Sequence, residues 1–140
     1  MGRGVSAVYL DACTVIYLVE GAPPFQAAAA ASVAPYQGDP DVVLLTSRLT
    51  RMECRVKPLR DGQAALLAVY ESLFAARRMS LAELSPAVVE RATDLRARYR
   101  VRTPDALHLA TAIEARAIAF ITGDATLTRC TELNVLVIAP

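Results

Sequence analysis

Hydrophobic positions along the chain fall into blocks of two alternating kinds. Residues 5–10, 42–46, 79–84, 118–122 and 135–138 are short, mostly uncharged runs of Val, Leu, Ile, Tyr and Phe. Such runs, apolar without polar alternation, predict strands covered on both faces. Between them lie longer segments whose apolar residues recur every three or four positions, as on a helix with one buried face. Residues 12–20 are the first, ended by Gly21 and Pro23-Pro24. Residues 25–36, rich in alanine, are the second, and Gly38-Asp39-Pro40-Asp41 is a turn by composition.

After the strand at 42–46, Ser47 stands where a helix cap belongs. The helix behind it carries Leu49, Met52 and Val56 as an i, i+3, i+7 stripe. It is expected to stop near Lys57, because Pro58 disfavours helical geometry in the residue before it. Residues 61–78 are predicted as one long helix, with Leu66, Leu67, Val69, Tyr70, Leu73 and Phe74 inward. Ser85-Pro86 and Thr103-Pro104 both read as a cap followed by proline at a helix start. The first opens a helix with Val88, Val89, Ala92, Leu95 and Tyr99 inward. The second runs to about residue 116, with Leu107, Leu109, Ala110 and Ile113 apolar, and a short helix is expected at 125–131. Strands alternating with helices predict an α/β fold with a parallel sheet, as one domain over 1–140 without repeat or linker.

Composition narrows the class further. At 54% hydrophobic and a mean hydropathy of +0.34, the chain is no disordered segment. No apolar run reaches the ~18 residues of a membrane span, and no signal peptide is discernible, so a cytoplasmic protein is expected. Cys13, Cys54 and Cys130 are an odd number without a close pair, which argues against a disulfide framework or a zinc site. A net charge of +1 excludes a polybasic nucleic-acid binder. Lys57 is the sole lysine among 15 basic residues. The arginine excess suits phosphate recognition, and a GC-rich genome explains it equally. Arg48, Arg51 and Arg55 form a stripe that reads most simply as a solvated helix face.

Four carboxylates are oddly placed. Asp11 ends the first strand, and Asp124 follows the strand at 118–122. Asp105 lies in the first turn of its helix, and Glu53 lies beside the stripe Leu49, Met52, Val56, at the edge of the core. In open parallel sheets ligands sit at the carboxyl ends of strands, where strand order reverses, and Asp11 and Asp124 stand at that end. Burying a lone carboxylate costs several kcal/mol unless a cation accompanies it. Several carboxylates with few cations call for Mg²⁺ or Mn²⁺, which suit oxygen ligands and phosphodiester chemistry. Each acid also has a plain structural role open to it. Asp11 can cap a helix, Asp105 can complement a helix dipole, and Asp124 can shape a turn. His108, the only histidine, can orient a carboxylate or simply pack, and Thr122 can support the site or serve only as a strand residue.

The segments Tyr9-Leu10-Asp11, Thr46 to Cys54, Arg102 to Ala112 and Phe120-Ile121-Thr122-Gly123-Asp124 resemble the PIN-domain family, above all the VapC-type toxins of toxin–antitoxin pairs. The stretch Thr-Pro-Asp-Ala-Leu-His-Leu-Ala is the most specific piece. The resemblance implies a three-layer α/β/α fold with a central five-stranded parallel sheet in order 3-2-1-4-5. It implies a Mg²⁺- or Mn²⁺-dependent endoribonuclease that cleaves RNA with metal-activated water. By match to the motifs, Asp11, Glu53, Asp105 and Asp124 are the metal-binding and catalytic acids, with Thr122 supporting them. A homodimer and a cognate antitoxin partner are implied too. Two departures stand out: Cys13 replaces a small polar residue that helps hold the metal or its water, and Ala115-Arg116-Ala117 lacks the glycine frequent at that helix end. A PIN-fold module that binds antitoxin or RNA without cutting is the alternative. A phosphorylated receiver domain fits poorly, since position 13 is not an acid and lysine is nearly absent.

Overall fold

A computed structural model describes residues 5–140. Five strands, β1 (Ser6–Leu10), β2 (Val42–Ser47), β3 (Met79–Ala82), β4 (Ala119–Thr122) and β5 (Val135–Val137), form one sheet. Its order is β3-β2-β1-β4-β5, and every pairing is parallel. Six helices connect them: α1 (Ala12–Glu20), α2 (Pro23–Gln37), α3 (Arg48–Arg60), α4 (Ala64–Phe74), α5 (Pro86–Tyr99) and α6 (Thr103–Glu114). A short 3-10 helix, Ala125–Arg129, links β4 to β5. The chain builds outward from β1 through β2 to β3, then crosses to the other side for β4 and β5. The strand order therefore reverses between β1 and β4.

The period of two along each strand divides the interior into two cores. Val8, Leu10, Leu44 and Ile121 point to one face, where Val15 of α1, Val33 of α2 and Tyr70 and Phe74 of α4 cover them. Tyr9, Leu45 and Phe120 point to the other, against Val88 and Leu95 of α5 and Leu109 of α6. Double coverage explains why the strands carry no polar alternation. The predicted three-layer fold and strand order are those observed.

Several local expectations give way. Helix α3 does not stop at Lys57 but runs through Pro58 to Arg60. Pro58 is buried, and its carbonyl accepts the Gln63 N–H, so packing holds a turn that local preference disfavours. The buried face of α3 is Leu49, Thr50, Cys54 and Pro58, while Met52 and Val56 are each 53% exposed. The segment 61–78 is only partly helical. Gly62 turns the chain at φ +66°, α4 starts at Ala64, and the chain leaves the helix after Phe74. Val69 and Val89, expected inward, are exposed. The arginine stripe is not a free face: Arg51 and Arg55 both pair with Glu71 of α4, and Arg48 pairs with Glu83. The α6 cap is Arg102 rather than Thr103, and no side chain caps it. Arg116 occupies the left-handed position after α6 at φ +56°, where the missing glycine would be at ease. No helix among the described residues is long and apolar enough to cross a membrane.

Candidate active site

Strands β1 and β4 lie side by side and end together, with Leu10 in register with Ile121. The residues that follow them are Asp11 and, one beyond Gly123, Asp124. Both acids fill the plain roles open to them. Asp11 caps α1, its Oδ1 accepting the Thr14 N–H at 2.9 Å. Asp124 caps the 3-10 helix, its Oδ1 accepting the Thr126 N–H at 2.9 Å. Capping does not exhaust them. The Thr122 hydroxyl donates to Asp11 Oδ2 at 2.5 Å and accepts the Asp124 N–H at 3.0 Å. One hydroxyl thus ties the two strand-end acids together. Two more buried threonines fix the floor: Thr46 donates to the Leu10 carbonyl and Thr14 to that of Ile121.

Asp11 is 4% exposed. Burial pushes its carboxyl above the ordinary range, because lost hydration disfavours the charged form. The hydrogen bonds from Thr122 and Thr14 oppose that shift without overcoming it. Among the described residues no cation forms an ion pair with Asp11 or Asp124.

Glu53 and Asp105 reach the same place from helices. Glu53 is a partly buried residue of α3, and its Oε1 lies 2.8 Å from His108 Nε2 of α6. It reaches the core edge as expected, though beside Thr50 and Cys54 rather than Met52 and Val56. Asp105, in the first turn of α6, accepts from Arg102 Nε at 3.2 Å. His108, 3% exposed, is both packed and hydrogen-bonded to a carboxylate. Its Nδ1 lies 2.7 Å from the Tyr9 hydroxyl, which also bonds Ser47 Oγ at 2.9 Å. This engagement with Tyr9 accompanies the absence of a Ser47 side-chain cap on α3.

All four predicted acids, with Cys13, Tyr17, Arg102 and His108, line one cleft of about 660 Å³ at the carboxyl end of the sheet. Among the described residues no three His, Cys, Asp or Glu side chains stand close enough to enclose an ion. The acids converge on the cleft without closing a cage. Cys13 lines the cleft and packs beside Gly123. A Cβ on Gly123 would lie 2.7 Å from Cys13 Sγ and 2.8 Å from Tyr17 Cε2, so both side chains lean onto Gly123. Burial raises the Cys13 thiol above its usual range and keeps it protonated. Cys54 and Cys130 are buried core residues. Sequence reasoning missed Arg102 and Tyr17. Arg102 carried a faint signal, since it directly precedes the Thr-Pro helix start.

The PIN-domain model matches residues 8–133. The chain belongs to the PIN-domain family. Solved structures of similar fold agree with the assignment. A VapBC2 complex from Rickettsia felis, bound to a DNA fragment from its promoter, superposes at a TM-score of 0.77 and 13% identity over 95% of this chain and 99% of that one. A DNA-bound VapBC from Salmonella typhimurium gives 0.76 and 15%, over 96% and 100%. The Mycobacterium tuberculosis VapC20, a sarcin-ricin loop cleaving toxin, gives 0.71 and 14%, over 87% and 93%. At these identities the likeness is one of fold. No curated protein matches this PIN-domain chain in sequence.

Proposed function

We propose that this PIN-domain protein is a metal-dependent endoribonuclease acting as the toxin of a toxin–antitoxin pair. The observation that carries the reading is that four carboxylates line one cleft at the switch point of the sheet, with buried Asp11 lacking an ion-pair partner among the described residues. An all-oxygen donor set of this kind fits Mg²⁺ or Mn²⁺. Asp11, Asp105 and Asp124 would hold the ion, and Glu53 would join them directly or through water. A bound ion would supply Lewis acidity and offset the charge that develops on the scissile phosphate.

The chain's own groups divide the remaining work. Thr122 holds Asp11 and Asp124 in fixed relation. A carboxylate of the cleft takes the proton of the attacking water. Arg102 is exposed at the mouth and pairs there with Asp105. With Asp105 holding an ion, the Arg102 guanidinium would be free to hold a phosphate of the RNA backbone. Similar structures include a toxin–antitoxin complex from Klebsiella pneumoniae and a member of the VapBC family of toxin–antitoxin systems, which supports an antitoxin as partner.

The test is cleavage of RNA by purified protein with and without Mn²⁺, beside Asp11→Asn. Cleavage that needs Mn²⁺ and vanishes in the variant supports the reading. Equal cleavage by the variant would overturn the site assignment. Mn²⁺ binding without cleavage of any RNA would favour the non-cutting alternative.

A further inference from the structure

The cleft acids differ in what stands behind them, and the buried ring behind Glu53 has no part in the mechanism above. Four side chains form it: Ser47 at the start of α3, Tyr9 of β1, His108 of α6 and Glu53 two turns into α3. The chain of hydrogen bonds leaves α3 at Ser47 and returns to it at Glu53. Its middle members are rigid. Tyr9 is fully buried and stacked on Phe120 with ring planes 4° apart. Tyr9 stands two residues before Asp11, which follows the end of β1. The strand that delivers Asp11 therefore also anchors the histidine that holds Glu53.

We infer that His108 is a positioning residue that aims Glu53 into the cleft, with Tyr9 fixing the imidazole in turn. This rests on the reading of the cleft as a metal-dependent centre. A carboxylate accepts only, so Nε2 carries the hydrogen toward Glu53 Oε1. Nδ1 faces the Tyr9 oxygen, whose one hydrogen goes to Ser47 Oγ. Contacts at both ring nitrogens fix one ring orientation. The contact at Nε2 commits Oε1 of Glu53 and leaves Oε2 without a protein partner among the described residues. A histidine serving packing alone would not need to donate to a half-exposed carboxylate on a cleft wall.

Because the chain has a single histidine, its imidazole can be observed without ambiguity in untagged, metal-free protein. Nitrogen-15 spectra should show a slowly exchanging proton on Nε2, and Glu53→Ala should make that proton exchange fast. No change in Glu53→Ala would overturn the pairing, whatever the cleft binds. Mn²⁺ titration calorimetry then tests the consequence. His108→Gln places an amide nitrogen near the Nε2 position and should bind Mn²⁺ within about twofold of wild type. His108→Asn reaches only the Nδ1 position and should lose roughly tenfold. In the Glu53→Ala background, His108→Asn should cause no further loss. Equal losses in Gln and Asn variants, or an undiminished loss without Glu53, would make His108 a packing residue and overturn the inference. Wild type that binds no Mn²⁺ would instead overturn the metal reading itself, with the nitrogen spectra still deciding whether His108 holds Glu53.

Discussion

The two halves of the cleft are built differently. Asp11 and Asp124 follow the ends of neighbouring strands, and the Thr122 hydroxyl links them. Asp11 is deeply buried, held by hydrogen-bond donors and, among the described residues, by no ion pair. Glu53 and Asp105 stand on helices, are more open to water, and each has a potentially cationic neighbour, His108 and Arg102. The strand half is over-determined by backbone register, because shifting a strand residue disturbs the sheet. The helix half is set by side-chain pairs that can exchange partners. In the proposed mechanism the strand half supplies a fixed anchor of unbalanced charge, and the helix half closes on what binds there.

Asp11→Asn breaks the anchor most severely. Cleavage should fall at least about a thousandfold, since a ligand and its charge are lost together. Stability should move the other way. The Asp11 carboxyl is raised in the folded state, so its stabilising contribution is full below the unfolded value, about pH 4, and is lost as pH rises through the folded value. Metal-free Asp11→Asn should therefore melt a few °C above wild type at pH 7, with the gap closing toward pH 4. Saturating Mn²⁺ should reverse the order by stabilising wild type alone. A metal-free variant that melts lower at neutral pH would show that the Asp11 hydrogen bonds outweigh the cost of burying its charge.

Thr122→Val keeps the shape and removes the hydroxyl between the two strand-end acids. Activity should drop about 10- to 100-fold, as when the support of a ligand is lost. Stability should fall by about 1–3 kcal/mol, because the Asp124 N–H loses its acceptor. Urea unfolding and cleavage rates check the two effects separately.

On the helix side, Arg102→Ala should raise KM about tenfold with kcat nearly unchanged, and the salt dependence of binding should weaken. Melting temperature should barely move, since the Arg102–Asp105 pair is exposed on the arginine side. A fall in kcat with KM constant would place Arg102 on the reacting phosphate instead. The smallest effect lies away from the cleft. Arg116→Gly relieves a left-handed residue at φ +56° and should stabilise the protein by about 1 kcal/mol without changing cleavage.

Much of this arrangement was legible in advance, and for identifiable reasons. Uniformly apolar strands announced a sheet covered on both faces, and the positions of Asp11 and Asp124 after two of them pointed to its carboxyl edge. Glu53 was reached through an argument only half right. It does sit at the core edge, yet Met52 and Val56, taken to define that edge, face out. On α3 the apolar residues do not mark the buried side. Thr50, Cys54 and Pro58 are buried there, and a hydropathy stripe cannot detect a face lined with small or polar groups. Pro58 misled for a similar reason: a local preference of the residue before proline is weaker than packing. The arginine stripe looked solvated because Glu71, which pairs with two of its members, is brought beside it by the turn from α3 to α4.

The sequence by itself determined the α/β alternation and the double-sided strands, and its motifs singled out four acids as candidates, since each depends on one short segment. Only the tertiary structure decided that those acids share a cleft. It alone joined Thr122 to Asp11, Arg102 to Asp105 and His108 to both Glu53 and Tyr9. The pairings around Asp11 and His108 cross the sheet or bridge two helices, over as many as 111 residues of chain. A side chain's partner at such range is set by register and helix packing, which no local pattern of hydrophobic and polar residues encodes.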